Sequence, residues 1–213
     1  MRSYGDPCGL ARALDIVGER WSLLIVRELL LGPKRFTDLR SGMPSASPNV
    51  LAQRLRELEA AEVVAHRKLP PPAGASVYEL TPRGRNLEQA LLHLSRWGSA
   101  TPAIRDAGLS NDALMLALKT MFDPERAAGV RITVGLHLGE DAFRVRVADR
   151  RIDVERGAGS ADADIKTDSG AMRSLVFGRG TIAEAARRGE IALTGKKTAL
   201  TRFLTLFRRP LAR

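Results

Sequence analysis

Between residues 17 and 81 the chain carries a run of start and stop signals that leaves few ways to fold. Trp21, Leu23, Leu24, Ile25, Val26, Leu29 and Leu30 place apolar side chains on nearly every face of a helix over 21–31, so that helix is expected to be covered on several sides and central to its domain. Gly32-Pro33 ends it, because proline cannot continue the hydrogen-bond ladder and disfavours helix in the residue before it. Phe36 and Leu39, three apart, can anchor a short second helix by one face. Ser47 is a good N-cap and Pro48 a good first helical residue, which predicts the start of a third helix. Within it Leu51, Leu55 and Leu58 form one stripe, and the opposite face carries Asn49, Gln53 and Arg56 with Val50 and Arg54 at its flanks. Two β-compatible segments follow, 63–69 and 76–80, separated by the stiff tip PPPAGA.

Three helices followed by a two-stranded hairpin is the element order of a winged helix-turn-helix, and that order points to double-stranded DNA. Amide and guanidinium groups on the N-terminal half of the third helix can read purine edges in the major groove, Asn or Gln on adenine and Arg on guanine. A solvated polar stripe is the alternative account of the same face, and the neighbouring helices and hairpin weigh against it. Arg67 and Lys68 before the hairpin tip, with Lys34, Arg35 and Arg40 around the second helix and Ser47 and Pro48 at the start of the third, complete the expected DNA contacts. Cations there would fix register on phosphates without carrying sequence information.

Net charge of +10 and a pI near 10.7 favour a polyanionic partner. The charge is not concentrated where DNA reading is expected: residues 1–100 hold 14 Lys+Arg against 10 Asp+Glu, and 101–213 hold 20 against 14. With 44% hydrophobic and 27% charged residues in 213, the chain suits one large domain or two of about 100 residues. Residues 101–109, with Pro102 and Gly108, are the expected linker between a domain over 1–100 and another over 110–213. The one cysteine, Cys8, excludes an intramolecular disulfide framework. No basic-then-apolar leader and no apolar run near the roughly 20 residues of a membrane span are present, so a cytoplasmic, nucleoid-associated protein is expected.

Residues 8–100 resemble the HxlR-type family of bacterial winged-helix regulators. The resemblance rests on several motifs in order: CGLARALDIVGERW, WSLLIVRELLLGPKRFTDL, LAQRLRELEAAEVV and YELTPRGRNL. It implies a homodimer built from the N-terminal helix (Leu10 to Val17) and the long helix after the wing (Arg83 to Trp97), with paired third helices reading an inverted repeat. Leu87, Leu91 and Leu94 would otherwise form an apolar stripe exposed beyond a small core. In part of this family a cysteine at the position of Cys8 senses oxidants or electrophiles, so Cys8 is the redox candidate. Such a role needs exposure and a lowered pKa, and a buried structural cysteine is the competing account.

The second half changes period. After a helix over 111–122, Val130, Ile132, Val134, Leu136 and Leu138 alternate with Arg131, Thr133, Gly135 and His137; Phe143, Val145 and Val147 alternate with Arg144 and Arg146; Ile152 and Val154 continue. These are antiparallel strands with one buried and one wet face, covered by helices near 169–177, after the Thr181/Glu184 capping box, and over 197–207. The whole chain is therefore expected to be α+β, a winged helix followed by an antiparallel sheet covered by helices. The segment ADADIKTDSGAMRSLVFGRGTIAEAARRGEIALTGKKTALTRFLTLF resembles the sterol-carrier-protein-2-like (SCP2) domain. That resemblance implies a small apolar or amphipathic ligand, with Met172, Leu175, Val176, Phe177, Leu200, Phe203, Leu204 and Phe207 as lining residues. The same eight residues serve equally as the core that sheet-covering helices need.

Arg131, Arg144 and Arg146 are expected to pair across strands with Asp153 and Glu155; they, or Arg208, Arg209 and Arg213, could instead hold an anionic headgroup or touch DNA. His66, His93 and His137 are scattered, and neither GRG nor GERW has the context of a phosphate loop, so no metal, cofactor or enzymatic activity is expected. Three functions remain: a regulator switched by an effector in the second domain, a regulator switched at Cys8, or a carrier of apolar ligands that does not read DNA.

Overall fold

The computed structural model describes residues 3–72, 74–101, 108–178 and 180–208. Most of the expected linker (102–107), together with Arg209 and Arg213, lies outside them. The chain divides into two compact units, Met1–Leu91 and Leu92–Arg213.

The first unit opens with α1 (Gly9–Val17) and α2 (Ser22–Leu29). Trp21 does not join α2 but precedes it with φ 82°, a left-handed conformation rare for a bulky residue. Leu24 is exposed, so α2 is covered on fewer sides than its composition suggests. α3 (Phe36–Gly42) packs by Leu39, and α4 (Pro48–Ala60) starts where Ser47 Oγ accepts from the Val50 N–H. Leu51, Leu55 and Leu58 are fully buried beside Ile25, Val26, Leu29 and Leu39, so one stripe of α4 closes the core. β1 (Val64–Lys68) and β2 (Ser76–Leu80) pair antiparallel, Val64 opposite Leu80 and Lys68 opposite Ser76. Lys34 adds a bridge to this hairpin through Tyr78, each backbone N–H donating to the other's carbonyl at 2.9 and 2.8 Å.

The single helix expected over Arg83–Trp97 is two: α5 (Pro82–Arg85) and α6 (Glu88–Gly98). Thr81 Oγ1 caps α5 at the Gly84 N–H, and a Cβ on Gly84 would lie 2.1 Å from the Val63 carbonyl oxygen. The first turn is thus pinned against the start of the hairpin. Leu91 is buried and Leu87 packs on the same core, so the apolar stripe predicted to be free is largely used inside the unit. Leu94 of that stripe stays exposed, as do Trp97 farther along α6 and Leu10 and Leu14 on α1.

The second unit holds α7 (Asn111–Met121), β3 (Ile132–Leu138), β4 (Asp141–Ala148), β5 (Arg151–Arg156), β6 (Ala163–Thr167), α8 (Ser169–Phe177), α9 (Ile182–Arg187), β7 (Ala192–Gly195) and α10 (Lys197–Leu204). The sheet order is β5-β4-β3-β6-β7. β3–β4 and β4–β5 are antiparallel as expected and so is β6–β7, while β3 and β6 run parallel, Leu136 opposite Ile165. The segment 157–162 returns the chain to the start of β6, where the Asp162 N–H donates to the Thr133 carbonyl. Val134, Leu136, Phe143, Val145 and Val147 form the buried face. Phe122 bridges to Phe207, and Arg208 grips Asp123 at 3.0 Å, tying the end of α7 to the chain after α10.

On the wet face Arg144 pairs with Glu155, its strand partner, and Arg146 lies opposite Asp153. Arg131 pairs instead with Asp149 of the β4–β5 turn. His137 is not merely solvated: its Nε2 lies 3.1 Å from Asp164 Oδ1, in space that Gly135 leaves by lacking a Cβ.

Candidate nucleic-acid interface

Asn49, Gln53 and Arg56 are all exposed on the face of α4 opposite the leucine stripe. Gln53 is held by two side chains of the next turn: its Nε2 donates to Glu57 Oε1 at 2.8 Å, and its Oε1 accepts from the Arg56 guanidinium at 3.0 Å. Arg54 leans the other way, bound to Glu57 at 2.5 Å and near Glu19 at 3.5 Å. It braces α4 against the turn before α2 rather than standing on the reading face. Val50, placed at the flank by the sequence, is 39% exposed at the N-terminal end of that face.

The cations expected around this face divide. Arg40 and Lys68 are exposed, and Arg35 is exposed with its backbone N–H engaged by Asp38 Oδ2 at 3.1 Å. Arg67 is exposed but doubly bound to Glu79 across the hairpin, at 2.7 and 2.9 Å, and this carboxylate raises the guanidinium pKa further. Lys34 is the clear departure. Its side chain is 12% exposed and its ammonium donates to Glu28 Oε2 at 2.8 Å, so it serves a buried carboxylate instead of facing a phosphate. Arg27 donates to the other Glu28 oxygen at 2.8 Å. Sequence reasoning missed Glu28, yet the signal was present: a single carboxylate in a helix where only Ser22 and Arg27 are otherwise polar.

Cys8 stands exposed at the N-cap of α1. The backbone N–H groups of Leu10 and Ala11 hold its thiol below the usual cysteine range. In the second unit, Met172, Leu175, Val176, Leu200, Phe203 and Phe207 are buried, and Phe177 and Leu204 are partly so. Phe207 meets Phe203, Phe122 and Phe177 edge to face, with centroids 5.0, 6.3 and 6.4 Å apart. These side chains pack on one another. Among the described residues no cluster of three or more His, Cys, Asp or Glu is placed to hold a metal ion, and no helix is long and apolar enough to cross a membrane.

A core-anchored third helix with an exposed amide-guanidinium face, beside a two-stranded hairpin, defines a winged helix-turn-helix of the transcription-regulator class. Relatives agree. The chain is 38% identical over 88 residues to the HTH-type transcriptional regulator YvaP of Bacillus subtilis, covering 82% of that protein and 41% of this chain. It is 36% identical over 85 residues to the HTH-type transcriptional regulator YodB of the same organism, covering 76% of it and 40% of this chain. The solved reduced form of YodB superposes with a TM-score of 0.40 at 34% identity, over 44% of this chain and 93% of that one. The chain belongs to the HxlR-like helix-turn-helix family through residues 16–104 and to the alkyl sulfatase C-terminal family through residues 101–212. The second match is a correction: the domain model that fits this half is the alkyl sulfatase C-terminal one, not the sterol-carrier domain that its motifs suggested.

Proposed function

We propose that the chain is a dimeric transcriptional regulator that reads an inverted-repeat operator through α4, with the β1–β2 hairpin on the flanking backbone. The observation that carries this reading is the division of α4 into a fully buried leucine stripe and an exposed Asn49, Gln53, Arg56 face. The names of the relatives, HTH-type transcriptional regulators, support it. Exposed Leu10 and Leu14 on α1 and Leu94 and Trp97 on α6 support dimerisation, since large apolar groups on helices that flank a small core call for a partner. Arg40, Lys68 and Arg35 would position the protein on phosphates; Lys34 and Arg67 are withdrawn from that role by their carboxylate partners. A shift assay on the DNA upstream of its own gene tests the reading. Specific retardation that Gln53→Ala and Arg56→Ala each weaken by about 1–3 kcal/mol is expected, and unchanged binding by both variants would refute it.

The second unit is proposed as the effector-binding part, with a small apolar or amphipathic ligand admitted between sheet and helices. The cluster of buried Phe203 and Phe207 with partly buried Phe177 supports an apolar ligand and also sets its cost, because the ligand must displace contacts those rings make with one another. Native mass spectrometry of the purified chain should show a bound lipid-like species, and an unliganded mass throughout speaks against it. Switching at Cys8 is a second reading, favoured by the exposure of the thiol and its lowered pKa. Cys8→Ser should then abolish release of DNA by peroxide or quinone.

A further inference from the structure

The reading face of α4 carries, beside its polar groups, one large apolar side chain that is exposed, Val50. Val17, Val26, Val63, Val64 and Val77, the other valines of the first unit, are buried, whereas Val50 is 39% exposed. A β-branched residue gains nothing in an exposed helical position, because helices restrict its side chain. Val50 occupies the first turn after Ser47 and Pro48, on the same surface as Gln53 one turn later. The major groove offers a single apolar group at its base edges, the 5-methyl of thymine.

Gln53 complements it. With one amide N–H committed to Glu57 and one lone pair to Arg56, the amide keeps one donor and one acceptor position open. That pair matches N7 and the N6 amino group of adenine. Its two neighbours on the helix hold the amide in place before DNA arrives, which lowers the ordering cost of the contact.

Resting on the regulator reading above, we propose that Val50 and Gln53 together read an A·T-containing step in each half-site, Val50 against a thymine methyl and Gln53 on an adenine edge. The operator class is thereby narrowed to half-sites with an A·T step at the position met by the first two turns of α4.

The test uses the full chain and a duplex selected with it from a random pool. Thymines are replaced one at a time by deoxyuridine, which removes the methyl and keeps every hydrogen-bonding group, and adenines by 7-deazaadenine. One or two thymine positions per half-site should weaken binding by about fourfold, the value of a methyl group removed from water. Val50→Ala should bring the thymine-over-deoxyuridine ratio at those positions close to one, and Gln53→Ala should do the same for adenine over 7-deazaadenine at a neighbouring position. Val50 is exposed, so its replacement leaves the core untouched and an unchanged melting temperature will show it. Selection that recovers no preferred duplex overturns the regulator reading and this proposal with it. A preferred duplex indifferent to deoxyuridine everywhere, or a Val50→Ala protein that keeps the full preference, overturns the proposal alone.

Discussion

Glu28, with no exposed surface, sits in α2, and three segments meet at its carboxylate. Arg27 comes from α2 itself, Lys34 from the segment bridged to the hairpin, and Gly42 from the end of α3. A Cβ on Gly42 would lie 2.3 Å from Glu28 Oε2. The carboxylate is held by two cations and cannot swing away cheaply, so Gly42→Ala should destabilise the unit by about 1–3 kcal/mol, read as a lower denaturant midpoint. Glu28→Ala should cost roughly 3 kcal/mol, the low end for a broken buried pair, since Arg27 and Lys34 keep some contact with water. Lys34 also shows where sequence reading failed: a cation beside a DNA-reading helix looks like a phosphate contact until its acidic partner is located, and that partner is six residues away and buried. At Cys8 the N–H groups of Leu10 and Ala11 favour the thiolate, so its protonated form is lost at lower pH than in a free cysteine. Its alkylation rate should therefore reach a plateau at lower pH than that of a free thiol, and a profile matching the free thiol would contradict the lowered pKa.

At the scale of elements, α4 was the most legible part of the chain. Ser47-Pro48 marks its start and the leucine spacing marks its buried face, both local signals, and the structure agrees with them to the residue. Leu51→Ala should cost about 2–5 kcal/mol in thermal or chemical unfolding, because the side chain is fully buried among core leucines. The division of α5 from α6 was not legible. Leu87, Leu91 and Leu94 keep helical spacing through it, and what fixes it is a contact with the Val63 carbonyl some twenty residues earlier. The parallel pairing of β3 with β6 escaped for a similar reason: alternation reports which face of a strand is buried and says nothing of which strand lies beside it. The eight residues expected to line a ligand space in the second unit are buried or partly buried, and alternation could not say whether they surround a space or fill it. Among them, Phe207 meets Phe177 and Phe203 edge to face.

For the whole molecule, the two units carry separate parts of the proposal. The first presents the reading face of α4, and the second holds an apolar interior that an effector could enter. Dimerisation is what would turn one reading face into two, and α1 carries Leu10 at 68% exposure with Leu14 beside it on the same face. Sedimentation velocity should show a dimer for the native chain and a monomer for the Leu10→Glu, Leu14→Glu protein, with operator affinity falling alongside. Basic charge alone would not distinguish this protein from any cationic binder of DNA, since the second half holds the larger excess of Lys and Arg. Reading of sequence by the Asn49, Gln53 and Arg56 face, as proposed, sets the ratio of affinities for a selected inverted repeat and a scrambled duplex, measured at fixed salt for the native chain and for the Gln53→Ala, Arg56→Ala protein. A large ratio in the native chain that collapses toward one in the double variant, with scrambled-duplex affinity little changed, is the predicted result. An equal ratio in both proteins would contradict it.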